Sequence, residues 1–221
     1  MATDPFALAF EDLPKELIVF PLPGALLLPH GRLPLNIFEP RYLNMVEDAL
    51  AERRTFGMIQ TREPHDGLVP DGAEVFDVGC AGRIISFAET GDGRFVLTLE
   101  GVCRFRIVRE IEGRRGYRRM AVDYGPYRHD MEDDDWQLDR ESFFKLLKRY
   151  LDARGLRVDA DALERAPDRL VVATLGMMCP FDVKEKQALV EASDMRAMTE
   201  IMRSLMEMSI IAGEDQSTAK H

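Results

Sequence analysis

Lysine is missing from most of this 221-residue chain: none occurs between Lys15 and Lys145. Three cysteines, Cys80, Cys103 and Cys179, are too few and too scattered for a disulfide framework or a CxxC metal knuckle. No apolar run approaches the ~20 residues that span a bilayer. The start, Met1-Ala2-Thr3-Asp4-Pro5, lacks the basic stretch and apolar core of a secretory signal. These absences predict a reduced, cytoplasmic protein with no membrane partner. There is no Gly-Lys dipeptide, hence no GxxxxGK[ST] phosphate loop, and GxSxG, HExxH and EF-hand patterns are absent too. Gly79 and Gly82 lack the strand-turn-helix context of a dinucleotide site and are followed by strand-like residues. The histidines, His30, His65, His129 and His221, are scattered and are expected on the surface or in loops. Glu132-Asp133-Asp134-Asp135 reads as a polar linker leading into a helix, with a divalent-cation site as the alternative. No catalytic residue, metal site or cofactor is therefore expected.

What is present is an ordinary globular composition, 46% hydrophobic and 31% charged, at a net charge of −10. That acidity opposes a globally basic surface for gripping nucleic acid. The period of the apolar residues changes part-way along the chain. Leu17-Ile18-Val19-Phe20, ended by Pro21, predicts a buried strand. Pro21, Pro23, Pro29 and Pro34 then mark an irregular extended path through Leu26-Leu27-Leu28. Pro40, with Glu39 ahead of it, predicts a helix to about Arg53 with Tyr42, Met45, Val46, Ala49 and Leu50 as its apolar stripe. Phe56 to Ile59 follows as a strand. The runs 83–87 and 95–99 flank Gly91-Asp92-Gly93 as a hairpin, and Arg104 to Ile107 alternates as a half-buried strand does. Tyr117 to Val122 completes a compact barrel or sandwich.

From Asp135 the period is helical. Phe143, Phe144, Leu147, Tyr150 and Leu151 form one stripe, and Asp161 to Glu164 and Asp182 to Glu185 both read as capping boxes. Pro167 starts a helix that stops before Pro180. The last helix, from about Met195 to Ile211, carries Met195, Met198, Met202, Leu205 and Met206 as a core stripe or a soft partner-binding one. The chain divides into a β-rich part (1–127), a helical part (128–212) and a flexible tail (213–221).

Charge follows the same division. Residues 83–119 carry nine arginines against five acids, whereas residues 130–212 carry 18 acids against 12 bases. Arginine makes bidentate contacts with carboxylates and phosphates, so this sheet face could dock acidic peptides or RNA. Alternatively Arg104, Arg106 and Arg109 solvate the outer face of a strand.

The run Phe20-Pro-Leu-Pro-Gly-Ala-Leu-Leu-Leu-Pro29, followed by Leu33-Pro-Leu-Asn-Ile-Phe-Glu-Pro-Arg-Tyr42 and Met45-Val46, resembles the opening of the Lon protease N-terminal domain. Phe56 to Ile59, Asp77 to Ala81, Leu99 to Ile107 and Pro180 to Leu189 are similar to its later motifs, in the same order. The resemblance covers about residues 15–210. It implies an α+β fold: a PUA-like β pseudo-barrel with one inserted helix, then a C-terminal α-helical bundle. It also implies recognition of proteins or unfolded polypeptide, as this domain serves substrate selection in Lon. The ATPase and Ser-Lys protease modules that accompany it there have no counterpart in these residues, so a non-catalytic role is expected, with RNA binding as the alternative. Phe38, Glu39, Pro40, Arg41 and Tyr42 are expected to be architectural, Phe38 and Tyr42 anchoring the helix and Glu39 and Arg41 pairing. The candidate recognition residues are Leu26, Leu27 and Leu28 in one loop, with Arg104 and Arg106 on one strand.

Overall fold

Strand β1 (Glu16–Pro21) sits between two neighbours, which is why its sequence is an unbroken apolar run. The computed structural model of the chain describes residues 8–63, 65, 68–132 and 134–218. After an irregular segment come β2 (Arg32–Ile37), α1 (Pro40–Ala51) and β3 (Thr55–Ile59). The long strands β4 (Val78–Glu89) and β5 (Phe95–Arg114) and then β6 (Tyr117–Asp123) complete the sheet. β1 pairs in parallel with β3 and antiparallel with β6; β3 pairs with β4, β4 with β5, and β5 with β6. The pairings thus close into a ring of five strands. β5 can serve so many neighbours because it is 20 residues long: its first part pairs with β2 and its last part with β6. Among the described residues β2 pairs only with β5, which leaves its other edge open, and Pro34 sits in the middle of the strand.

Two glycines explain motifs in the sequence. A Cβ on Gly79 would lie 2.5 Å from the Met58 carbonyl oxygen of the adjoining strand. One on Gly101 would collide with the Leu28 carbonyl. At that contact the Gly101 amide donates to the Gly31 carbonyl (2.8 Å) and the His30 amide to the Gly101 carbonyl (2.9 Å). The Leu26–Leu28 loop is thereby stitched against β5, and all three leucines are buried. They floor the core instead of forming an exposed recognition loop.

Helix α1 begins at Pro40, as its fixed φ favours. Its face of Tyr42, Met45, Val46 and Ala49 packs on the sheet, with the Tyr42 ring 4.3 Å from that of Phe20. Phe38 does not share that anchoring role: it is 55% exposed. The helical part comprises α2 (Arg140–Arg154), α3 (Ala160–Arg165), α4 (Asp168–Met178), α5 (Val183–Glu191) and α6 (Met195–Thr218). α5 carries the expected capping box, with Asp182 accepting from the Glu185 amide and Glu185 from that of Asp182. α3 is capped two residues earlier than expected, by Asp159. Five residues of α6, Met195, Met198, Met202, Leu205 and Met206, are buried where it packs along α2, α4 and α5, so the methionine stripe is core. α6 runs past Ile211 to Thr218, leaving only residues 219–221 of the expected tail, outside the described residues. One hydrophobic cluster joins Leu17, Phe105 and Met120 of the strands to Phe143, Leu175 and Met198 of the helices.

Replacing Gly101 by Ala is expected to destabilise the fold by about 1–3 kcal/mol, because backbone must move to admit the methyl group. Urea denaturation measures this, and an unchanged midpoint would show that the Leu28 segment is not held against β5.

Candidate functional site

Alternation along β5 puts Arg104 and Arg106 on the same face of the strand. At Arg106 that face is open, but at Arg104 it is covered by the 3-10 segment Gly125–Met131 and the C-terminal end of α5. Arg104 is completely buried. Its Nε and Nη2 donate to the two oxygens of Asp130 at 2.9 and 2.7 Å, a bidentate fork. Its Nη1 donates to the carbonyls of Val190 (3.1 Å) and Ala192. The Nη2 atom lies 3.2 Å from His129 Nε2, and the guanidinium stands 4.5 Å from the Tyr127 ring. Asp130 also accepts from the Arg104 amide at 2.9 Å. Arg104 is therefore a junction between strand and helices, not a docking residue. Asp130 has no signature in the sequence beyond its charge; only the tertiary fold brings it to Arg104.

The remaining arginines of the sheet are largely neutralised in place. Of the nine in residues 83–119, Arg94, Arg114, Arg115, Arg118 and Arg119 also form ion pairs with carboxylates. Arg115 is at the turn between β5 and β6, with a left-handed φ of 49°. It reaches α1, donating to Asp48 (2.9 Å), Glu47 (2.7 Å) and Asn44 (2.8 Å). Tyr117 donates to the other Asp48 oxygen at 2.6 Å. Burial alone would raise the Asp48 pKa, but the hydrogen bonds from Tyr117 and Arg115 and the charge of Arg114 hold it below the ordinary carboxylate value. Burial and this same bond push the Tyr117 hydroxyl up to about 12. Glu39 and Arg41 pair as expected, with Arg41 Nε donating to Glu39 at 3.0 Å.

Burial pushes all three thiols above their ordinary value, away from the reactive thiolate. No cluster of three or more His, Cys, Asp or Glu able to hold a metal occurs among the described residues. Asp134 is paired with Arg169 at 2.6 Å. His30 occupies a left-handed turn position, and His221 lies outside the described residues.

Two surfaces offer exposed apolar side chains instead. One is the end of the sheet where β2 runs into α1 and β4 turns into β5. There the Phe87 and Phe95 rings meet edge-on at 5.0 Å, and Arg94 stands 5.8 Å from the exposed Phe38 ring. The other is a groove of about 640 Å³ on the helical part. It arises because α2 ends at Gly155 in a left-handed cap (φ 64°), where the Leu156 amide returns to the Leu151 carbonyl at 2.9 Å. The chain then doubles back, so Leu156 and Val158 face Phe144, Leu147 and Leu151 of α2, with Leu163 of α3 behind them.

Comparison with known proteins bears on what such surfaces serve. The sequence model described as the ATP-dependent protease La (LON) substrate-binding domain matches residues 16–208. The chain belongs to the Lon substrate-binding domain family. It is 24% identical over 200 residues to Lon protease 2 of Myxococcus xanthus, covering 89% of this chain and 24% of that protein. A second relative, Lon protease 2 of Sorangium cellulosum, is 33% identical over 90 residues, covering 40% of this chain and 11% of the relative. The chain thus spans about a quarter or less of the length of these relatives. Among solved structures, the Lon N-terminal domain protein from Xanthomonas campestris matches with a TM-score of 0.58 at 24% identity, covering 85% of this chain and 96% of that one. The N-terminal domain of the Mycobacterium avium complex Lon protease gives 0.59 at 17%, covering 88% and 97%. Both show the fold, a mixed α+β domain.

Within this Lon-type domain, the Arg104–Asp130 pair should dominate local stability. Asp130→Ala leaves a buried guanidinium without its counter-charge and is expected to cost about 3–5 kcal/mol. Arg104→Met/Asp130→Leu should recover part of that loss in a double-mutant cycle, with the Val190 and Ala192 carbonyls still lacking donors. Purely additive effects would refute the coupling. The depressed Asp48 pKa contributes stability above the ordinary carboxylate pKa that is lost as pH falls through the lower, folded-state value. Asp48→Asn should flatten the acid limb of the stability–pH curve, measured by thermal melts from pH 7 down to pH ~2.

Proposed function

We propose that this chain is a non-catalytic recognition module for protein substrates, with exposed segments of unfolded polypeptide as its ligands. The observation that carries the reading is the match of residues 16–208 to a substrate-binding domain. The architecture supports it: a ring of five strands fits a PUA-like pseudo-barrel, and five helices after it fit a helical subdomain beginning near residue 128. Proteolysis belongs to the much longer relatives and is not brought to these residues. Three buried free cysteines fit a reducing, cytoplasmic setting. No helix among the described residues is long and apolar enough to cross a membrane.

We place the contact surface at the aromatic end of the sheet, on the exposed Phe38 and Phe87 with the half-buried Phe95 beside them; Arg106 is exposed as well but lies further along β5, opposite the start of β4. Exposed aromatic rings give a large contact area with little entropy loss, which suits ligands of varied sequence. RNA binding has less support, because the arginines that would meet phosphates are mostly engaged by carboxylates.

Binding of a chemically unfolded model polypeptide, followed by fluorescence anisotropy, tests the reading. Phe38→Ser/Phe87→Ser should weaken binding about tenfold while leaving circular dichroism unchanged. Absence of binding by the parent protein, or equal binding by the variant, would overturn respectively the function or the assigned surface.

A further inference from the structure

We infer that the groove between α2 and the turn into α3 is a second docking site, distinct from the aromatic end of the sheet, whose occupant is an acidic, amphipathic helical segment of a partner protein. Its floor follows the pitch of α2: Phe144, Leu147 and Leu151 recur at i, i+3 and i+7, and Leu156 and Val158 form the opposite wall. Leu156 is 38% exposed and Phe144, Leu151 and Val158 are half-buried, so the floor presents apolar surface to solvent. From Phe144 to Leu151 the helix rises about 10 Å, two turns, which matches the apolar face of a docked helix.

Charge decides which kind of segment fits. Lys145 and Lys148 stand one turn apart on the α2 lip, and Arg157 stands on the other. All three are exposed, and none makes an ion pair with another described residue. On the sheet, by contrast, most arginines have a carboxylate partner. Unpaired cations facing an apolar floor are the more telling in a chain of net charge −10 whose helical half is its acidic half. Asp152 and Glu164 also line the groove, so the surplus is a single positive charge. Its placement is what matters: two lysines one turn apart on α2 and Arg157 across the floor call for carboxylates spaced along a segment, not for one anionic head group.

The test uses the full chain and designed helical peptides of about 14 residues, with leucines along one face and glutamates flanking it. A matched peptide carries lysines in place of the glutamates. The glutamate peptide should bind at least about tenfold more tightly than its lysine counterpart, and more weakly as salt rises. Lys145→Glu/Lys148→Glu should reverse that preference, and Leu156→Ser should weaken both peptides. Phe38→Ser/Phe87→Ser should change neither, which separates this site from the polypeptide surface proposed above. Equal binding of the two peptides, no binding of either, or preference unaltered by charge reversal would overturn the inference. So would concentration-dependent self-association in sedimentation that Leu156→Ser abolishes, since the groove would then belong to a second copy of the chain.

Discussion

The Arg104–Asp130 ion pair is the constraint around which strand and helix are arranged. Burying a guanidinium is costly unless its donors and charge are met, and here the partners come from three places: the 3-10 segment, the end of α5, and the residue after it. Each partner must be in position at once, so the relative placement of sheet and helices is narrowly specified. A bidentate fork is directional, so it adds a geometric constraint to that of the packed apolar side chains. The cluster joining Leu17 and Phe105 to Phe143 and Met198 supplies the cohesion, and the ion pair supplies the register.

Much of the architecture was legible in the residues. Pro40 marked the start of α1, Gly91-Asp92-Gly93 the turn between long strands, and Asp182 to Glu185 a cap, because these signals act over a few residues. The mixed α+β character and the family resemblance were legible for the same reason. The candidate recognition residues were not. Leu26, Leu27 and Leu28 look like an exposed loop because prolines surround them, yet Gly101 lets the loop lie flat on β5 and bury them. Arg104 and Phe38 were misread in opposite senses. Alternation tells which face of a strand a side chain takes but not what later covers that face. An aromatic beside a helix start is expected to pack, but Phe38 falls just outside the stripe that α1 buries.

The charge pattern also means something different in three dimensions. The excess of arginine on the sheet suggests an anion-binding face when counted along the chain. In the fold it is largely consumed within the molecule, fastening the β5–β6 turn to α1 through Asp48 and Glu47 and strand β6 to β5 through Glu110. On α2, by contrast, Lys145 and Lys148 stand in water beside the exposed Arg149 and Arg154. On the sheet, the planar guanidinium thus serves mainly as an internal fastener.

Strand β2 has its outer edge unpaired, and a bare edge is a template on which any extended chain can add a strand. Left open, such an edge is a hazard, because an extended chain could zip onto it and seed a growing sheet. Pro34 interrupts the row of amide donors at mid-strand, and no continuous ladder can form across it. On the proposed reading, a polypeptide ligand would then be held by its side chains and not by strand addition at this edge, which would keep capture reversible.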